Sequence, residues 1–476
     1  MLRKFTVALA FALSATAGAA QAQTVTPLAH SAPEGVDVMF QLTDGSVLVQ
    51  ADSNNMDFYK LTPDNKGSYV NGTWTKMASL PSGYSPYAAA SAVFADGRAA
   101  IIGGEYNFGN FTLTNQSEVY DPVANSWTAL APPKGWKNIG DSPLSVMPDG
   151  SVLLGDKLNK KMAVLNPTTL TWSKIKPKGK SDFNAEEGWT LLPNGTVLTL
   201  DVKNGPNTEI YTPSAKTPWQ SAGHTPQMLA GPPCCSCINY GGKKPYCPPG
   251  EIGPALLMPD GSVFATGSMP KGENTAHTAV YANGTWTSGP DFPNGDEAGD
   301  SFAALLPNGH ALVEGISGEL YEFDGTHLTA EPFNGGGNAL MVLPSGEILV
   351  GGAEVYKSTG TYNAAWAPTI TTAPSSVTRG SSYQISGTQF NGLSQANAFG
   401  DEFEMATNYP LVRITNNATG HVFYARTHDH STMAVATGSA TVSTNFDVPS
   451  GMETGASSLV VVANGIPSVP VSVTVN

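Results

Sequence analysis

The apolar and polar positions along the chain repeat one phrase: a short apolar run, a two-residue turn, then a second short apolar run. The turns fall at Asp44-Gly45, Asp96-Gly97, Asp149-Gly150, Asn194-Gly195, Asp260-Gly261, Asn308-Gly309 and Ser345-Gly346. Flanks such as Val152-Leu153-Leu154 and Val263-Phe264-Ala265 read as strands. Asp-Gly and Asn-Gly supply the positive φ angles of a type I′ turn, so each copy predicts a β-hairpin. Seven copies spaced by about 50 residues on average predict seven blades of a propeller.

Two further strands complete each predicted blade. A third often ends in Tyr, as at Val119-Tyr120-Asp121-Pro122, Ile210-Tyr211-Thr212-Pro213, Val280-Tyr281 and Val355-Tyr356. A fourth is marked by Trp74, Trp127, Trp172, Trp219 and Trp286, whose rings suit packing between blades. The seventh copy lacks a convincing fourth strand. Val25-Thr26-Pro27-Leu28-Ala29 resembles Trp127-Thr128-Ala129-Leu130-Ala131, so the N-terminal segment is expected to complete blade seven and tie the ring shut. After Trp366-Ala367-Pro368 the pattern changes to alternating strands such as Tyr383-Gln384-Ile385-Ser386, ending at Val469–Val475. The expected architecture is all-β: a seven-bladed kelch-like β-propeller over residues 23–367 and an immunoglobulin-like (early-set) β-sandwich over 368–476.

Composition supports many short strands: 51 Gly, 36 Pro and only 13% charged residues. The net charge of −14 argues against nucleic acid and anionic lipid as partners. Arg3 and Lys4, the apolar run from Phe5 to about Ala20, and Ala20-Gln21-Ala22 read as a signal peptide over residues 1–22. The expected location is secreted or periplasmic after cleavage near Ala22. No later stretch is long and apolar enough for a membrane helix. A monomer is expected.

Kelch-like blades, an export signal and a C-terminal sandwich together resemble the galactose oxidase / glyoxal oxidase superfamily, in particular bacterial exported kelch-repeat proteins. The resemblance implies a copper-radical site built from a Tyr cross-linked to a Cys, a Tyr-His pair entering a late blade, and a His from the sandwich. Tyr84 or Tyr87, entering blade two, could stand for the first Tyr. No Tyr-His dipeptide occurs, the late-blade entry reads Gly337-Asn338-Ala339-Leu340, and the sandwich loop from Phe399 to Pro410 has no His. Most of the implied copper ligands are therefore not matched.

Residues just before the first strand of a blade crowd the mouth of a propeller's channel. Four neighbouring entries are acidic: Gly140-Asp141-Ser142, Glu186-Glu187-Gly188, Glu251-Ile252-Gly253 and Gly299-Asp300-Ser301. Asp141, Glu187, Glu251 and Asp300 are the expected polar contacts to a small-molecule or glycan ligand, with Tyr87 as a stacking platform. The same carboxylates could hold a hard cation such as Ca²⁺, or could be solvated loop acids. His428 and His430, alternating on an expected strand, are a candidate Zn²⁺ or Cu²⁺ pair; the alternative is two surface or interface histidines. Cys234, Cys235, Cys237 and Cys247 are expected to form two local disulfides in an oxidising compartment, with a thiolate metal site as the alternative. Three functions follow: a propeller binding a ligand, plausibly carbohydrate, at the acidic mouth; a copper-dependent oxidoreductase with a rearranged site; or a structural or adhesive surface protein.

Overall fold

The computed structural model describes residues 23–53, 55–233, 237, 247–336, 339–400 and 405–476. Residues 1–22, where a signal peptide is expected, Cys234, Cys235, Gly241–Tyr246, Gly337-Asn338 and positions 401–404 lie outside the described residues. Seven sheets each place four antiparallel strands side by side, and successive innermost strands run from Met39–Gln41 in blade 1 to Leu340–Val342 in blade 7. The three- and four-residue inner strands are fully buried, because each is walled by its neighbours in the ring. In blade 7 the outermost position is taken by Thr24–Pro27, whose Val25 pairs with Tyr356.

The hairpin turns differ from the type I′ expectation. The φ angle is positive only at the glycine, from 77° at Gly45 to 91° at Gly309, and not at the residue before it. The glycine amide returns to the carbonyl three residues earlier, as from Gly45 to Leu42 and from Gly150 to Met147. This is a type I turn closed by a left-handed glycine. The reason lies in the preceding side chain. Asp44 Oδ1 accepts the Ser46 amide at 3.0 Å, and Asp96, Asp149, Asn194, Asp260 and Asn308 do the same for the residue after their glycines. The carboxyl or amide oxygen caps the turn from a right-handed backbone.

Blades are stitched by the tryptophans of their outer strands. Trp127 Nε1 donates to the Ala78 carbonyl at the end of blade 1, and Trp172 Nε1 to Ala131 at the end of blade 2, both at 2.8 Å. Trp74 Nε1 donates to His30, just beyond the strand that completes blade 7. Each indole thus buries its faces and satisfies its one donor on the preceding blade. Within a blade the ring lies against the tyrosine of the third strand, as with Tyr120–Trp127 and Tyr281–Trp286, at centroid distances of 5.0 and 5.1 Å.

The C-terminal strands, from Thr369–Thr372 to Val471–Val475, form a curled sheet around a core that includes Ile385, Phe390, Ile414, Phe446 and Val461. Val422–His428 pairs with Leu411–Asn416 through its first half and with Val442–Asp447 through its second, so it carries the chain between the two faces. The sandwich sits on the face of the ring that bears the hairpin turns: Tyr424 packs over Gly45, Met433 N bonds the Pro148 carbonyl, and Gly465 lies against Gly346.

From that face a finger, Ser394 to Gly400, enters the central channel. Asn397-Ala398 adds a short strand inside blade 6. Gln395 Oε1 accepts the Leu191 amide of blade 4 at 2.8 Å, and Asn397 Oδ1 accepts the Val342 amide of blade 7 at 2.9 Å. The finger therefore uses side-chain amides to satisfy inner-strand donors that face the axis. Its tip, Phe399, reaches the far side.

Candidate ligand site

On the face opposite the sandwich, the blade entries and the ends of the second strands surround a cavity of about 300 Å³ with Phe399 on its wall. Every blade contributes. Blade 1 supplies Asp37 before its first strand and Asp52 after its second; blade 2 supplies Tyr87 and Glu105 in the same two places; blade 3 supplies Asp141 and Lys157. Glu186, Glu251 and Asp300 come from the entries of blades 4, 5 and 6, and Ala339 from that of blade 7. Among the described residues the wall thus carries seven carboxylates and one ammonium.

Asp141, Glu251, Asp300 and Tyr87 are brought together here, as their sequence positions suggested. Glu187 is not. Its side chain is fully buried inside blade 4, and Glu186 takes the place expected of it. Glu186 has a left-handed backbone at φ 57°, which directs the two consecutive carboxylates into different surroundings. Asp300 shares that conformation at φ 49°.

Lys157 organises one side of the cavity. Its ammonium contacts Asp141 Oδ2 and lies 2.8 Å from Glu186 Oε1 and 3.9 Å from Glu105 Oε1. Both Asp141 and Lys157 are nearly inaccessible, so this is a buried charge cluster in which removal of one partner strands the other. Asp141 Oδ1, also buried, has no hydrogen-bond partner. Across the cavity Asp300 and Glu251 hydrogen-bond each other. Burial and repulsion from Glu186, offset in part by Lys157, push the Asp300 carboxyl up to about 6. Burial, and then the charge of Asp52, raise Asp37 well above the usual carboxylate range. Burial also raises Glu105 against the pull of Lys157.

The rim beside Tyr87 is aromatic. Pro86-Tyr87 pairs with Tyr106-Asn107, which turns back through Asn110-Phe111 to form a small three-stranded sheet outside blade 2. Tyr87, Tyr106 and Phe111 follow one another at centroid distances of 6.0 and 5.7 Å, and Tyr87 is 44% exposed. On the wall Phe302 and Phe399 meet at 4.6 Å.

Behind Glu187 lies a second, sealed group of charges. The Lys180 ammonium is 2.7 Å from both Glu187 Oε1 and Glu209 Oε2, and 4.7 Å from the centre of the Trp219 ring. Asp182, Glu187 and Asp201 bring carboxylate oxygens within 4.8 Å of one another. Asp182 already accepts the Lys203 and Asn204 amides, and burial raises the Asp201 carboxyl to about 7. The Lys180 ammonium and two backbone amides already partner these carboxylates.

The remaining candidates sit elsewhere. His428 and His430 do not share a strand face, because Asp429 at φ 53° ends the alternation between them. Both His428 nitrogens meet carboxylates, Asp429 at 2.7 Å and Asp447 at 3.1 Å. His430 is buried parallel to Tyr409, bonds Thr444, and is driven down to about 3 by burial, so it stays neutral. This pair makes no open chelate, correcting the reading as a metal site. Tyr84 is buried and donates to the Gly103 carbonyl. Cys237 and Cys247 form a disulfide in the segment that leads into Glu251.

Wall residues not singled out from the sequence include Asp37, Asp52, Glu105, Lys157, Phe302 and Phe399. Asp37 stands two residues before a first strand and Asp52 two residues after a second, so only the finger tip lies outside the repeat. Glu105 and Lys157 follow a second strand by three and two residues, and strand-two ends lie on the same face as strand-one entries, so a scan of both would have found them.

No family model and no curated protein matches the chain. Among solved structures, a fungal alcohol oxidase of the AA5 family, in complex with copper, aligns at 13% identity over 96% of this chain and 100% of its own, with a TM-score of 0.50. A streptogramin B lyase aligns at 11% identity over 70% and 96%, with a TM-score of 0.47. The extracellular domain of a putative hybrid two component system from B. thetaiotaomicron aligns at 10% over 96% and 59%, with a TM-score of 0.48. The first likeness, end to end in both chains, shows a shared fold of propeller plus sandwich. It does not carry the chemistry across. The described wall of the cavity offers carboxylates, one ammonium and aromatic carbon, with no imidazole and no thiolate. That donor set does not fit copper.

Proposed function

We propose that this protein binds a saccharide in the axial cavity, outside the cytoplasm. The observation that carries the reading is one cavity in which an exposed ring, Tyr87, stands beside a wall of carboxylates. A pyranose presents the matching pair of surfaces: C–H faces that pack on an aromatic ring, and hydroxyls that donate to carboxylates. A volume of about 300 Å³ takes one or two sugar rings, with the Tyr87–Tyr106–Phe111 edge extending the contact surface beyond the mouth. The Cys237–Cys247 disulfide suits an oxidising compartment, as the leader-like sequence does.

A glycan array tests this. The full chain should be retained on a subset of glycans, and Tyr87→Ala, which removes an exposed ring, should lose about tenfold or more in affinity. Retention on no glycan, or unchanged retention of Tyr87→Ala, overturns the reading.

A further inference from the structure

We propose that the outer edge of blades 3 and 4 binds a linear acidic polysaccharide, a uronate polymer, on a stripe of lysines outside the axial cavity. The chain carries a net charge of −14, yet the stretch from Asp156 to Pro218 presents the opposite sign to solvent. Its six acids, Asp156, Asp182, Glu186, Glu187, Asp201 and Glu209, are all buried. Every exposed or half-exposed charged side chain in the stretch is a lysine, and there are seven.

The fold draws these lysines together. Met162 pairs with Ile175, so Lys161 and Lys176 follow at the same end of that strand pair, next to Lys174. Lys160 Nζ donates to the Lys180 and Ser181 carbonyls at 3.2 and 2.6 Å, which brings it to the connection between the two blades. From that connection Lys178 Nζ reaches the Lys216 carbonyl at 3.0 Å, and Lys203 Nζ lies 4.3 Å from the centre of the Phe183 ring. Among the described residues only Lys161 of the seven has a carboxylate within ion-pair distance, Asp156 at 3.3 Å.

Three features select a polysaccharide. The exposed large apolar side chains of the described residues, Tyr87, Phe108, Val123, Ile316, Tyr362 and Val469, all lie outside this stretch. It therefore lacks the apolar anchors on which a protein partner closes, and lysine is depleted from such interfaces. The overall charge of −14 repels a nucleic-acid duplex or an anionic bilayer, whose dense charge extends past the stripe. A uronate chain carries one carboxylate per ring, bends at each linkage, and can follow the lysines while staying off the acidic remainder of the surface. Its hydroxyls suit the exposed Thr171 and Ser173 on the strand that carries Lys174.

The test is binding of the full chain to immobilised polygalacturonate at low and high salt. Fully methyl-esterified polygalacturonate, a DNA duplex and phosphatidylserine vesicles are the comparison probes. Polygalacturonate should bind about tenfold or more tighter than each, and added salt should weaken it. Lys174→Gln/Lys176→Gln/Lys178→Gln should lose about tenfold in affinity, and Lys174→Arg/Lys176→Arg/Lys178→Arg should retain it. Lys60→Gln/Lys271→Gln/Lys357→Gln removes the same charge elsewhere and should leave binding unchanged. No binding to polygalacturonate, equal binding of the esterified form, or equal losses in both glutamine variants overturns the inference. Duplex or vesicles bound as tightly as polygalacturonate overturn the choice of partner. None of these lysines lines the axial cavity, so every one of these results leaves the reading of that cavity standing.

Discussion

Glu186 and Glu187 are adjacent in the chain and serve separate charge clusters: Glu186 meets Lys157 at the axial cavity at 2.8 Å, and Glu187 meets Lys180 inside blade 4 at 2.7 Å. The left-handed backbone at Glu186 makes this division. Side chains on consecutive residues thereby link the axial cavity to the interior of one blade.

That link predicts a large effect from a residue outside the cavity. Lys180→Met leaves Glu187 and Glu209 buried without their cation, and should destabilise the protein by about 3–5 kcal/mol. Equilibrium denaturation in urea measures it. The conservative loss of one acceptor in Glu187→Gln should cost less, because Lys180 keeps Glu209.

Stability should also depend on pH in an unusual direction. Burial holds the carboxyls of Asp300, Asp201 and Glu331 up, to about 6, 7 and 7. Their folded values exceed the unfolded values of about 4, so the folded state binds more protons between the two. Their contribution is complete below about pH 4 and is lost as pH rises through about 6 to 7. Glu209, Asp429 and Asp447 act oppositely, since their lowered values make stability fall in stronger acid. Thermal denaturation across this range should show a melting temperature that declines from about pH 5 to 8, and Asp201→Asn should flatten the upper part of the decline.

Seating of the finger rests on one close approach. A Cβ on Gly188 would lie 2.3 Å from the Gly400 carbonyl oxygen. Gly188→Ala should therefore push the tip back, cost about 1–3 kcal/mol, and weaken ligand binding by moving Phe399. Denaturation and titration of the same variant read the two effects. Gly261→Ala is a control for glycine replacement away from the finger: no heavy atom crowds its Cβ, and its cost should come from φ 86° alone.

The ring was readable because its signals are local and repeated. Asp-Gly and Asn-Gly turns act within a few residues, third-strand tyrosines and fourth-strand tryptophans recur from blade to blade, and the structure gives each a physical task. The turn type was misjudged, because the capping bond from Asp44 to the Ser46 amide competes with a left-handed Asp. The cavity was partly readable. Acidic entries in blades 3 to 6 marked one arc of the wall, whereas the choice of Glu186 over Glu187 depends on a single φ angle that composition does not encode. His428 and His430 failed for the same reason, since alternation presumes an unbroken strand and Asp429 breaks it. Phe399 enters from the C-terminal sandwich, so no pattern within the blades could indicate it.

The central claim is that the acidic axial cavity is the ligand site. A crystal structure of the protein with a glycan selected on the array tests it most directly. The account predicts a sugar ring against Tyr87, with polar groups within hydrogen-bond reach of Glu251 and Asp300. A glycan bound on the sandwich or on the outer strands of the blades, with the cavity holding only solvent, would contradict it.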